Sequence, residues 1–242
     1  MYCMENKVNK KILFLHGYIQ NGHIFETRLK NLTKKIQKKY NNISFSFLFP
    51  DAPIILPEQT IPNEVQRGWM QIEKNKQDDF LKMETVNYLQ MEKSIEQLYS
   101  IGNEHKDIEC IFGFSQGAEL LVFMIILSLY KEGEFDIKKH FPNLKCLVFV
   151  AGFCRPFPQN EMFKDILMKL LEPNDKCLKC DIPSLHVYGL ADVFIDADHS
   201  KEALKFFSNY EEFAHNGKHF VPSTKNDVEK FEMFLEKYLD LH

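Results

Sequence analysis

Four polar residues follow short stretches that read as strands, and their types suit acyl-transfer chemistry. Ser115 follows Ile108 to Phe114. Asp192 follows Ser184 to Tyr188, and His219 follows Tyr210 to Ala214. His16 follows Ile12-Leu13-Phe14-Leu15. Ser115 is the centre of Gly113-Phe114-Ser115-Gln116-Gly117, the G-x-S-x-G spacing of a nucleophile elbow. In that turn the chain passes close to its neighbours on both sides, and only residues as small as glycine fit around the serine. The turn lifts the hydroxyl onto a helix N-terminus, where backbone N–H groups favour developing negative charge.

A serine hydroxyl is a weak nucleophile at neutral pH. A histidine must take its proton during attack and return it to the leaving group. A carboxylate must hold that imidazole in one tautomer and stabilise its cation. Ser115, Asp192 and His219 stand in the order nucleophile, acid, histidine of α/β-hydrolases. Asp196 and Asp198 lie further into the loop and fit the acid's role less well. His215 competes with His219 for the base. Gly217-Lys218 gives the loop freedom to aim His219 back at Ser115, which favours His219. His16 reads as a histidine bracing its loop. An oxyanion hole needs two backbone donors. The N–H of Gln116 is the first, and that of Tyr18, with Ile19 as the fallback, is the second.

The elements around these residues alternate. Phe25, Leu29, Leu32 and Ile36 recur at helical spacing, and Phe45 to Phe49 makes a second strand. Val86 to Ile101 reads as an amphipathic helix, Ala118 to Leu129 as an apolar one. Cys146 to Val150 reads as a strand. Short helices are expected at Phe163 to Leu171 and Lys201 to Phe207, and Val228 to Leu239 as a terminal helix. This alternation predicts an α/β fold, with a mainly parallel sheet of about six strands and helices on both faces. In such sheets ligands gather at the carboxyl ends of the strands, where the four polar residues stand. No linker divides residues 1–242, so one domain is expected. Residues 54–79 show no clean period and suit a lid or binding loop.

The bulk properties set limits. The chain has 242 residues, 45% of them hydrophobic, with a formal charge of −4. That charge argues against nucleic acid as the main partner. No apolar run is long enough for a membrane span, and Met1 to Lys11 lacks a secretory pattern, so a cytoplasmic or nuclear setting is expected. The six cysteines are expected as free thiols. Cys177-Leu178-Lys179-Cys180 lacks the second ligand pair that a zinc site needs.

Leu15-His16-Gly17-Tyr18-Ile19-Gln20-Asn21-Gly22, Pro50-Asp51-Ala52-Pro53, Arg67-Gly68-Trp69, the elbow, Ala151-Gly152-Phe153, Gly189-Leu190-Ala191-Asp192 and His219-Phe220-Val221-Pro222 occur in this order. Together they resemble the FSH serine hydrolases, from about Lys11 to Leu239. The resemblance implies an α/β-hydrolase fold with Ser115, Asp192 and His219 as the triad. It implies esterase or thioesterase activity on a small acyl substrate, without metal or organic cofactor. Acyl-protein thioesterases share a similar H-G loop and G-F-S-Q-G, and an acyl-protein thioesterase or lysophospholipase is an alternative. A binding protein on a hydrolase scaffold is another. Ala151 stands where the family often has serine. Trp69, near Met70 and Ile72, either lines an acyl pocket or packs its loop onto the sheet, and Phe153 is expected in the pocket wall.

Overall fold

The computed structural model describes residues 8–57, 59–73, 87–131, 133–154, 163, 166 and 178–241. Its centre is a six-stranded sheet. The strands are β1 (Val8–Leu15), β2 (Ile43–Leu48), β7 (Ile108–Phe114), β8 (Cys146–Val150), β9 (Ser184–Gly189) and β10 (Tyr210–His215), in the order β10-β9-β8-β7-β1-β2. Every neighbouring pair is parallel.

Side chains alternate across a strand, so an unbroken apolar run feeds two cores at once. Leu13, Leu15, Ile111, Leu147 and Phe149 face the core shared with α2 (Met91–Glu104) and α3 (Gln116–Tyr130). Ile12, Phe14, Phe112, Val148 and Val187 face the core shared with α1 (Gly22–Lys39) and the C-terminal helix Lys225–Leu239. Helices therefore cover both faces, as the alternation predicts. The sequence of α3 is apolar all round because residues 116–127 are all buried. The chain leaves β1 for β2 on one side and returns to β7 on the other. The direction reverses between β1 and β7, and the carboxyl ends of the strands at such a point are the usual ligand position in these sheets.

Two expectations need correction. The predicted helix from Val86 to Ile101 begins later. Asn87–Leu89 (β6) instead pairs antiparallel with Gln71–Glu73 (β5). Gln90 takes a left-handed φ of 62°, and α2 starts after it at Met91. The face of α2 turned to the core carries Met91, Ser94, Ile95, Leu98 and Tyr99, whereas Leu89 is exposed. The stretch expected as one helix from Lys201 is an α-helix at Ala197–Glu202 followed by a 3-10 turn at Ala203–Phe206.

The segment expected as a lid is tied down in its described part. Ile54-Ile55 (β3) pairs with Arg67-Gly68 (β4). Glu58, residues 74–79, most of the helix expected at Phe163 to Leu171, and Cys177 lie outside the described residues. Among the described residues no helix is long and apolar enough to cross a membrane.

Candidate active site

The elbow forms as its glycines require. Ser115 has φ 52° and ψ −117°, a left-handed φ that costs a side-chain-bearing residue about 1–3 kcal/mol. Its N–H donates to the Val150 carbonyl at 2.9 Å, and its carbonyl accepts from the Glu119 N–H at 2.9 Å. A Cβ on Gly113 would stand 2.6 Å from the Ala118 Cα, and one on Gly117 would stand 2.5 Å from the Leu15 oxygen. Gly117→Ala should therefore lower stability by about 1–3 kcal/mol, as overpacking against backbone does, and lower activity with it. Denaturant melts of the two proteins check this, and an unchanged midpoint would refute the close approach.

His219 Nε2 lies 2.9 Å from Ser115 Oγ, and His219 Nδ1 lies 2.7 Å from Asp192 Oδ2. The other carboxylate oxygen of Asp192 accepts the N–H groups of Phe194 at 2.9 Å and Ile195 at 3.0 Å. Burial alone would raise the Asp192 pKa. The hydrogen bonds from His219 and the two backbone N–H groups outweigh it and hold the carboxyl below its ordinary value. The Asp192 side chain is 1% exposed and that of His219 19%, so the chain of bonds runs from a buried carboxylate to a partly exposed imidazole.

Two loops zip together to hold this geometry. The Leu190 N–H donates to the His215 carbonyl at 2.8 Å, and the Ala191 N–H to the Gly217 carbonyl at 3.1 Å. The competing residues serve other ends. His215 Nδ1 accepts the Gly217 N–H at 3.1 Å, which folds the loop that carries His219. Asp196 caps its helix by accepting the His199 N–H at 2.9 Å. Asp198 is 96% exposed in its side chain.

The loop after β1 lies against the serine. A Cβ on Gly17 would stand 3.4 Å from Ser115 Cβ. His16 is fully buried, and burial pushes its pKa down to about 4, so the ring is neutral. Its Nε2 accepts the Ala52 N–H at 3.1 Å, which leaves the proton on Nδ1 to donate to the Gly17 carbonyl at 2.8 Å. In a trans peptide the C=O and the next N–H point in opposite directions. With the Gly17 carbonyl held by the inward ring, the Tyr18 N–H points away from it.

Trp69 is fully buried. Its indole N–H donates to the His16 carbonyl at 2.8 Å, and its ring centroid lies 5.0 Å from that of His16. The expected contact between Trp69 and an acyl chain is therefore corrected: the ring offers no surface to a substrate and packs the loop instead. Phe153 is also buried, 4% exposed, beyond the end of β8.

Sequence reasoning missed the side chain of Gln116. Its Oε1 accepts the Trp69 N–H at 2.8 Å and its Nε2 donates to the Met70 carbonyl at 2.8 Å. The only signal in the sequence was its place after the serine, which drew attention to its backbone. Among the described residues no group of three or more His, Cys, Asp or Glu is placed to hold a metal ion.

The family model described as serine hydrolase (FSH1) matches residues 4–231. The chain is 31% identical to the protein named esterase OVCA2 of Xenopus tropicalis over 240 residues, covering 95% of this chain and 93% of that protein. It is 28% identical to esterase OVCA2 of Danio rerio over 239 residues, covering 94% and 97%. The crystal structure of acyl-protein thioesterase 2 from Zea mays superposes with a TM-score of 0.61 at 21% identity, over 98% of this chain and 96% of that one.

Proposed function

The chain belongs to the FSH1 serine hydrolase family, and from that premise we propose that it cleaves carboxylic esters or thioesters through a covalent acyl-enzyme on Ser115. One observation carries the proposal. Ser115 Oγ, His219 and Asp192 form an unbroken hydrogen-bonded chain of 2.9 and 2.7 Å, with the serine on a strained elbow at a helix N-terminus.

The chemistry follows from that arrangement. Ser115 Oγ bonds to the acyl carbon while its proton passes to His219 Nε2. The carbonyl electron pair moves onto oxygen, where the N–H groups of Gln116 and Tyr18 receive the charge. The Tyr18 N–H points away from the held Gly17 carbonyl in a loop that lies beside Ser115, and this supports it over Ile19 as the second donor. Collapse of the adduct expels the alcohol or thiol, which takes the proton from His219. Water then gives a proton to His219 and attacks the acyl carbon, and the acid leaves as Ser115 regains its hydrogen. Asp192 keeps its negative charge throughout and offsets the cation on His219.

The test is product partitioning. Esters and a thioester of one acyl group, with different leaving groups, are hydrolysed in the presence of hydroxylamine. A common acyl-enzyme predicts one ratio of hydroxamate to free acid for all of them. A ratio that follows the leaving group would rule out the shared intermediate. No turnover on any acyl length would instead favour a binding protein on this scaffold.

A further inference from the structure

The oxyanion loop contains a residue whose backbone its own sequence does not favour. Ile19 has φ 62°. A β-branched residue there is a genuine outlier, whose strain the surrounding structure must offset. Side-chain packing does little to offset it, because Ile19 is 41% exposed. The backbone is held instead. The Ile19 carbonyl accepts from Gln66 Nε2 at 3.0 Å, and the Gln20 carbonyl accepts from the Arg67 N–H at 2.8 Å.

Gln66 is built for this contact. It is fully buried. Its Oε1 accepts from the Thr60 N–H, from the Thr60 hydroxyl at 3.1 Å and from the Ile61 N–H at 3.2 Å. Its own N–H donates to Gln59 Oε1 at 2.7 Å, and its carbonyl accepts the Leu56 N–H at 3.0 Å. The loop from Leu56 to Gln66 thus closes around one carboxamide and aims its Nε2 at Ile19. The φ and ψ of Ile19 together set the rotation between the Tyr18–Ile19 peptide and the Ile19–Gln20 peptide. Anchoring the second peptide while φ stays left-handed restrains the first, which Tyr18 joins to the peptide that carries its own N–H.

We infer that Gln66 is a positioning residue of the acyl-transfer reaction: its carboxamide holds Ile19 in the left-handed conformation that aims the oxyanion donor of the Tyr18 loop at Ser115. The segment read as a lid is, in this part, a brace under the oxyanion loop. The inference rests on the acyl-enzyme reading above.

Two variants of the whole chain test it. Gln66→Glu keeps an oxygen for Thr60 and Ile61 but loses the N–H toward Ile19. Gln66→Leu removes both, and if it fails to fold, Gln66→Glu still decides. Gln66→Glu should lower kcat by about 10- to 100-fold, short of the 10²–10³ lost when an oxyanion donor is removed outright, with KM changed little. Binding of a trifluoromethyl ketone, whose adduct places an oxyanion in the hole, should weaken in step with kcat. Adding Ile19→Gly, which removes the left-handed penalty, should recover part of the lost kcat. A merely structural Gln66 would lower the melting temperature without this rescue. The inference is overturned if Gln66→Glu folds and keeps its kcat, if the loss lies in KM, or if Ile19→Gly leaves the defect unchanged. Failure of the wild-type chain to react with a fluorophosphonate would instead refute the nucleophile assignment.

Discussion

Replacing Ser115 with alanine should lower kcat by roughly 10⁴- to 10⁶-fold, the scale on which loss of a triad serine is felt. The reason is that, among the described residues, no other hydroxyl or thiol is hydrogen-bonded to the His219 ring. Ser115 Oγ is the group hydrogen-bonded to His219 Nε2, at 2.9 Å. The buried thiols Cys110 and Cys146 sit in strands β7 and β8 inside the core. Intact-mass measurement after fluorophosphonate treatment should show one adduct on the native chain and none on Ser115→Ala. Labelling that survives in the variant would remove Ser115 from the mechanism. The fold should survive, since alanine keeps the elbow's contacts. It also keeps the φ of 52° and its strain. Ser115→Gly should therefore be more stable than Ser115→Ala by about 1–2 kcal/mol, while both are inactive.

The strand ends were legible because parallel strands buried on both faces write themselves as apolar runs. The runs of β1 and β7 stop at His16 and Ser115, and the topology brings Ser115, Asp192 and His219 to one edge. What local sequence could not show is pairing at a distance. Asn87–Leu89 carries the spacing of a helix, but it makes a ladder with Gln71–Glu73. Gln66 carries no signal, because its meaning lies in a bond to Ile19, which is 47 residues away in sequence. Trp69 showed two readings that hydrophobicity alone cannot separate, and the bond from its indole to the His16 carbonyl separates them. His16 was legible as a loop brace, since a histidine before glycine at a strand end has backbone carbonyls within reach. The shared cause is that pairing across the fold, by backbone or by side chain, leaves no periodicity behind.

Asp192→Asn should cost about 10⁴ in kcat, and the geometry says why. The backbone N–H groups of Phe194 and Ile195, at 2.9 and 3.0 Å, can only donate. They would keep the amide oxygen of the new side chain turned toward them. Its NH₂ would then face His219 Nδ1, which must become the acceptor. The imidazole proton moves to Nε2, and Nε2 can no longer take the proton of Ser115. The variant should fold, bind substrate with little change in KM and react slowly with a fluorophosphonate. Asp196→Asn should keep its activity, because that carboxylate caps the helix Ala197–Glu202. The pH dependence of stability follows from the lowered pKa of Asp192. A carboxyl whose pKa is lower folded than unfolded binds fewer protons in the native state. Its contribution is complete above the unfolded value and is lost as pH falls through the folded one. The gap in melting temperature between the native chain and Asp192→Asn should therefore be steady near neutrality and close in acid, below the ordinary carboxylate value of 3.8. A gap that stays open well below that pH would mean the charge of Asp192 does not hold this corner together. A variant that retains more than about a tenth of the native kcat would mean that His219 does not depend on Asp192 for its tautomer.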